Sequence, residues 1–283
     1  MPAPPDDTRS FRSEVVSVRA SGDDGVLLRI RPELSFPPLR AARFFMLRRA
    51  DALSPAIPRP FSVYRHLADG SLEFLIKVMG RGTRALADSR PGDSLVTVGP
   101  LGRGFDTLDG DGPPWVMLAG GIGSVPFYMG IEQALAGMDG GAPVRSQDVT
   151  LVYGAAHAGF LYELEAFAAL GVRTVAATDD GSFGFHGNVV QALVAQWQAD
   201  RLPAEVRLLA CGPERMMAAV AAVARERELD CWLSLETLMG CGVGICNGCA
   251  VETVPEGPLG AWPVAKCCID GPVFSAAAIR LGH

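Results

Sequence analysis

Four cysteines carry the chemistry that this sequence announces first. Cys241, Cys246 and Cys249 are spaced C-x4-C-x2-C, and a fourth thiol follows in the segment Cys267-Cys268-Ile269-Asp270-Gly271-Pro272. That spacing, with a distant fourth ligand, is the one that wraps a 2Fe-2S cluster, which passes one electron at a time. Gly240, Gly242, Gly244 and Gly248 are interleaved with the thiols. Lacking a Cβ, glycine lets backbone N–H groups approach sulfide and stabilise the reduced state. A structural zinc site is the plainer reading. It usually needs two Cys-x2-Cys knuckles or a Cys/His mixture. Here there is one knuckle, and none of the four histidines is near it. Spacing alone leaves Cys267 and Cys268 both open as fourth ligand. Cys268 is preferred, because the Asp270-Gly271-Pro272 turn then sits at a fixed offset behind it. Cys211 and Cys231 fall outside the pattern and read as small buried apolar residues.

A second set of motifs suits a dinucleotide. Gly120, Gly121 and Gly123 lie between an expected strand and an expected helix, where free N–H groups and the positive helix end point at a phosphate. A tight turn is the alternative, since the spacing is not G-x-G-x-x-G. Asp180, in the Thr178–Gly184 stretch, follows a later strand, and ligands collect at the carboxyl ends of parallel strands. It suits a ribose or a carboxamide, although an Asp-Gly turn explains it equally well. Nearer the N-terminus, Arg59 of Arg59-Pro60-Phe61-Ser62 can clamp a pyrophosphate bidentately. Lys77-Val78-Met79 runs into a glycine turn and a short helix holding Gly82 and Thr83, again an arrangement that favours phosphate.

The elements that must position these groups suggest an α+β multidomain chain. Residues 10–108 alternate short β-branched or aliphatic runs with Gly, Pro and Asp, the pattern of a small antiparallel β-barrel. Residues 109–230 alternate strand and helix, the pattern of an α/β parallel sheet, with helices expected over 127–135, 161–170, 188–198 and 214–228. Residues 231–283 form the cysteine module, too small to bury much alone and expected to be held together by its cluster. Residues 1–9 are expected to be a flexible tail.

Bulk properties narrow the function. The chain has 283 residues, 49% of them hydrophobic, and a net charge of −6. No basic run appears, which argues against nucleic acid. No stretch approaches the ~18 apolar residues of a membrane span. The N-terminus lacks a signal-peptide pattern, and seven cysteines without a disulfide framework fit a reducing cytoplasm.

In their order along the chain, Arg59-Pro60-Phe61-Ser62, Gly82-Thr83, Gly99 to Phe105 and Gly120 to Gly123 resemble the ferredoxin reductase family. In that family a barrel binds FAD and an α/β module binds NAD(P). The segments 239–249 and 268–274 are similar to those of the electron-transfer subunits of two-subunit, NAD-linked dihydroorotate dehydrogenases. The resemblance implies that Arg59, Pro60, Phe61, Ser62, Lys77, Val78, Met79, Gly82 and Thr83 bind FAD. It implies that Cys241, Cys246, Cys249 and Cys268 hold the cluster, with NAD as acceptor. NAD takes electrons as a pair, a cluster singly, and a flavin either way. The flavin therefore stands between the other two. No general base is evident, so oxidation of dihydroorotate needs a second, FMN-containing catalytic chain, most simply in a heterotetramer. The alternative is an NAD(P)H-dependent reductase serving a ferredoxin or a sulfur-reducing complex. The residues leave NAD against NADP open.

Overall fold

The computed structural model describes residues 7–51, 55–105, 108–137 and 142–281. The first module comprises β1 (Arg9–Ser21), β2 (Gly25–Pro32), β3 (Phe44–Arg49), β4 (Arg59–Ser62), β5 (Arg65–His66), β6 (Leu72–Lys77), the helix α1 (Arg81–Ala87) and β7 (Ser94–Leu101). The strands form one antiparallel sheet in the order β4-β3-β7-β1-β2-β6-β5. Between β4 and β5 the chain ties the two ends of the sheet together. The Val63 N–H donates to Arg43 O at 3.0 Å, and the Tyr64 N–H donates to Glu73 O at 2.8 Å. The sheet therefore curls into a barrel around Phe11, Val15, Leu28, Phe45 and Phe74. The expected N-terminal tail is shorter than nine residues. Arg9 already pairs with Gly99 in β1, and the Asp7 carboxylate holds Arg43 at 2.7 Å; residues 1–6 lie outside the described residues.

The second sheet draws on the rest of the chain. In order come β8 (Trp115–Gly120), α2 (Val125–Ala136), β9 (Val149–Ala155), α3 (Leu164–Ala169), β10 (Arg173–Thr178), β11 (Phe185–His186), α4 (Val189–Gln198), β12 (Arg207–Cys211), α5 (Glu214–Glu226) and β13 (Cys231–Ser234). The cysteine module follows with β14 (Ala250–Glu252), β15 (Val264–Lys266), α6 (Cys267–Asp270) and β16 (Val273–Ser275). The sheet order is β11-β10-β9-β8-β12-β13-β16, parallel except for β16. From β8 the chain winds outward in one direction through β9 to β11, then returns to β12 on the other side. The switch point, and hence the ligand crevice, falls between β8 and β12.

Local chemistry sets the helix ends. The Asn188 side chain accepts from the Val190 and Gln191 N–H groups at 3.0 Å each, and the Gln191 side chain accepts from the Asn188 N–H at 2.9 Å. That reciprocal cap starts α4. Helix α3 is shorter than the expected 161–170. Glu163 has φ of +52° and its carboxylate is tied to the barrel, to Arg19 and to Ser21 Oγ, both at 2.7 Å. The helix therefore cannot begin until Leu164.

The cysteine module does not stand apart. Cys249, Val251, Ala265, Cys267, Cys268, Ile269 and Phe274 share one core with Phe44, Met46 and Leu101 of the barrel and with the α4–α5 face of the sheet. The Arg103 N–H donates to Gly271 O at 2.8 Å, and the Leu235 N–H to Pro272 O at 2.9 Å. Residues 231–283 also lend β13 and β16 to the sheet. Packing against two neighbours supplies apolar burial that 53 residues lack alone. Among the described residues no helix is long and apolar enough to cross a membrane.

Candidate functional site

Two cavities meet where the barrel, the second sheet and the cysteine module converge. The smaller, about 210 Å³, is lined by Pro60, Phe61 and Ser62 of β4, Lys77 and Met79 beyond β6, Thr83 of α1, and residues 235–237 and 239 of the cysteine module. The larger, about 460 Å³, runs along the carboxyl ends of the parallel strands, past Gly120–Gly123, Gly154, Asp179, Asn188 and Gly212. Lys77, Met79, Ile122 and Glu236 line both. A group filling the first therefore touches a group filling the second.

The residues present fit a flavin in the smaller cavity. Its walls are mostly apolar, with Phe44, Leu75, Ile76 and Pro126 among them, and a few polar side chains are interspersed. That mixture is what a planar heterocycle requires. The Thr237 hydroxyl, also on this wall, is buried with no hydrogen-bond partner. Arg59 and Gly82 lie just beyond. A Cβ on Gly82 would stand 3.2 Å from Arg59 Cγ, so the glycine leaves room for the arginine side chain. Val78 turns away from both cavities in its main-chain pairing, its N–H bound to Asp24 O at 2.8 Å.

In the larger cavity the glycines of the first crossing have distinct reasons. Gly121 has φ of +54° and open space around it. At Gly123 a Cβ would meet Cys211 O at 2.3 Å, so only glycine lets this turn pack on the end of β12. Asp180 is engaged locally: its carboxylate accepts from Ser182 N–H at 2.9 Å and Ser182 Oγ at 2.6 Å, and the serine holds it below the usual carboxylate range. It is Asp179 that lines the cavity. Sequence reasoning also passed over Asn188 and Glu236. Asn188 reads as a helix cap, which it is. Glu236 had a signal, since it follows the carboxyl end of β13, where ligands collect. Its side chain is exposed to solvent, yet enough protein surrounds it that desolvation pushes its carboxyl above the ordinary range.

The four cysteines are set as two pairs. Cys249 and Cys268 are buried with their sulfurs 3.2 Å apart, while the exposed Cys246 donates its N–H to Cys241 Sγ at 3.4 Å. Among the described residues no three ligand-type side chains converge on one point. A 2Fe-2S rhomb takes two thiolates on each of two irons. Main-chain N–H groups, Gly248 first, lower the Cys246 thiol to about 7, and the Cys268 thiol lowers Cys249 to about 6. Both shifts favour the thiolate, the form that binds metal. Cys267 points elsewhere, its Sγ 3.7 Å from Leu235 O, and burial raises it to about 12. The Asp270 carboxylate accepts from the Lys266 N–H at 2.7 Å and fixes α6 beneath the pair, which gives the Asp-Gly-Pro turn its role.

The arrangement allows electrons to pass singly at one end and in pairs at the other. Residues 235–237 and 239 line the smaller cavity, and the same stretch leads through Gly240 into Cys241.

Known proteins agree with this geometry. Residues 236–280 match the iron-sulfur cluster binding domain of dihydroorotate dehydrogenase B, and residues 117–222 match the oxidoreductase NAD-binding domain. The dihydroorotate dehydrogenase B (NAD(+)) electron transfer subunit of Geobacillus thermodenitrificans is 35% identical over 95% of this chain and 98% of its own. That of Desulforamulus reducens is 33% identical over 82% of this chain and 83% of its own. Among solved structures, an NADH-dependent reduced ferredoxin-NADP oxidoreductase superposes with a TM-score of 0.79 at 23% identity, covering 95% of this chain and 89% of the other. A ferredoxin NADP+ reductase from Neisseria gonorrhoeae superposes with a TM-score of 0.62 at 19% identity, covering 77% and 91%.

Proposed function

The chain belongs to the family of dihydroorotate dehydrogenase B electron-transfer subunits, and from that premise we propose that it carries electrons from a partner subunit through a 2Fe-2S cluster and FAD to NAD+. In this reading residues 10–108 hold FAD, residues 109–230 hold NAD, and residues 231–283 hold the cluster while lending β13 and β16 to the sheet. Bound FAD supplies the exchange between single and paired electrons. The chain's own residues bind, orient and shield. Phe61, Ser62, Lys77 and Met79 flank the ring, Arg59, Gly82 and Thr83 take the phosphates, and Pro60 and Val78 fix the strand ends between them. Gly120, Gly121 and Gly123 shape the dinucleotide crevice, with Asp180 holding its rim in a turn. Cys241, Cys246, Cys249 and Cys268 are the cluster ligands. One observation carries the reading: residues 235–237 and 239 line the flavin cavity in the same stretch that leads into the cluster loop.

The partner in this reading is a catalytic, FMN-containing dihydroorotate dehydrogenase subunit, joined in a cytoplasmic heterotetramer. An apolar surface beside the cluster loop supports it. Leu238 is 89% exposed and Ile245 is 81% exposed, either side of Cys241. Residues this apolar and this exposed mark an interaction site when they lie together. Leu238→Asp is expected to weaken assembly with the catalytic chain by about 2 kcal/mol, roughly 30-fold in Kd. Titration calorimetry with the two purified chains checks this. The flavin and cluster absorption of the variant should not change.

Asp179 lies at the end of the crevice away from the flavin, where the adenosine half of a dinucleotide rests. A carboxylate there accepts from a ribose hydroxyl and repels a 2′-phosphate. Asp179→Asn is expected to raise kcat/KM for NADPH relative to NADH about tenfold, equivalent to about 1.4 kcal/mol. Steady-state assays with an artificial electron acceptor report the ratio.

The function itself is tested on anaerobically purified protein. Flavin bands with a cluster shoulder are expected, and dihydroorotate should reduce NAD+ only when the catalytic chain is added. A colourless, iron-free preparation would overturn the reading.

A further inference from the structure

Glu236 stands where three cavities meet. Besides the two already described, it lines a third of about 530 Å³, bounded by the start of α5 at Pro213 and Glu214, by Ala250–Glu252 and Val264 of the cysteine module, and by Arg280. With a flavin in the first and a dinucleotide in the second, the third remains as an approach from solvent. Among the described residues, the only other titratable side chain common to the first two is Lys77. Lys77 is held in place, 3.5 Å from Asp24 and over the Phe160 ring at 4.2 Å.

The chemistry requires a proton at that junction. Reduction of NAD+ consumes two electrons and one proton, NAD+ + 2e− + H+ → NADH. The electrons arrive through the cluster and bring no proton. The hydrogen that leaves as hydride must therefore first be placed on the flavin ring nitrogen as a proton. We propose that Glu236 delivers that proton, and that the third cavity connects Glu236 to water. The Glu236 O–H bond breaks as the ring N–H bond forms. The carboxylate is then reprotonated from water in the third cavity. In the reverse direction Glu236 takes the proton as electrons leave for the cluster. This inference rests on the electron path proposed above.

The surroundings favour the protonated form: desolvation raises the carboxyl above its ordinary range. The charged groups that share its cavities are Lys77 from β6, Glu214 of α5, Glu252 of β14, Arg280 and, at the far end of the crevice, Asp179 beyond β10; the buried thiols of Cys211 and Cys267 also feel its charge. A carboxyl raised above its ordinary range is a better proton donor than an unperturbed one.

The test uses the full chain loaded with FAD and cluster, by anaerobic stopped flow. NADH bleaches the flavin by a transfer that brings its own hydrogen and needs no acid. Electron exchange between flavin and cluster, followed in the cluster bands, does need it. In Glu236→Gln, bleaching should slow far less than exchange. Exchange should slow about 100-fold and lose its dependence on H2O against D2O, the scale of a lost general acid. Glu236→Asp should recover part of the rate. Bleaching slowed as much as exchange would make Glu236 a nicotinamide-positioning residue and overturn the proposal, as would two unchanged steps. Absence of bleaching in the parent chain would overturn the electron path itself, and this inference with it. A second readout needs no turnover. A carboxyl raised in the folded state contributes its full stability below its unfolded pKa and loses it as pH rises. Glu236→Gln should therefore unfold at higher temperature than the parent at pH 8, with the gain shrinking toward pH 5. A gain that does not grow with pH would also count against the proposal.

Discussion

Cys268→Ser is expected to remove the iron–sulfur absorption and cut dihydroorotate-to-NAD transfer to background, while Cys267→Ala leaves both in place. The two thiols are neighbours in sequence, yet consecutive residues on a helix diverge by about 100°. Cys268 Sγ is 3.2 Å from Cys249 Sγ. Cys267 Sγ points into the core shared with Leu235 and Phe274. Cys267→Ala should therefore act only on packing, at about 1–2 kcal/mol. Iron and acid-labile sulfide analysis, the visible spectrum and the two-chain assay together check the contrast. Flavin content and the NADH-to-dye activity should survive in both variants, because neither cysteine lines the flavin cavity. Loss of iron on replacing Cys267, and its retention on replacing Cys268, would exchange the two assignments.

The legibility of this chain in sequence follows from how local each signal is. The two sheets and the cluster loop were visible because strand runs, strand–helix alternation and thiol spacing are written within short windows. Long-range consequences were hidden. Nothing local says that β16 folds back onto β13, or that Met46 and Leu101 of the barrel pack beneath Gly242 of the cluster loop. The module, expected to be held together by its cluster, is also wedged between two neighbours. The same reason hid part of the site. Asp179 and Asp180 are adjacent, and only the fold shows that Ser182 claims the second while the first lines the crevice. Glu236 follows a strand end, which is its one signal in sequence; its place at the meeting of three cavities exists only in space. The start of α3 was misjudged for a related reason, as a long-range tie from Glu163 to Arg19 overrides the local helical pattern.

Gly123→Ala is expected to cost far more than Gly121→Ala, although the two positions are two residues apart in one motif. An added Cβ at Gly123 meets backbone on three counts: Cys211 O at 2.3 Å, Cys211 C at 2.6 Å and Gly212 N at 2.7 Å. No side chain can rotate away to relieve such a contact, so the turns after β8 and β12 must separate. Overpacking of this kind costs about 3 kcal/mol. That corresponds to a fall in Tm of roughly 6–12 °C. At Gly121 nothing lies within 4 Å, and only the positive φ of +54° opposes a side chain, at about 1–2 kcal/mol. Thermal unfolding by circular dichroism ranks the two. The functional effect should rank the same way, because the turns that Gly123 holds together flank the switch point between β8 and β12 where the dinucleotide lies. KM for NADH with an artificial acceptor should rise at least tenfold in Gly123→Ala, the size of a lost interaction worth about 1.4 kcal/mol. Flavin and cluster absorption should persist, since those groups rest on β4, β6 and the cysteine loop. Equal losses at the two glycines would mean that the motif acts through its main-chain N–H groups alone, and that the tight contact with Cys211 is incidental to binding.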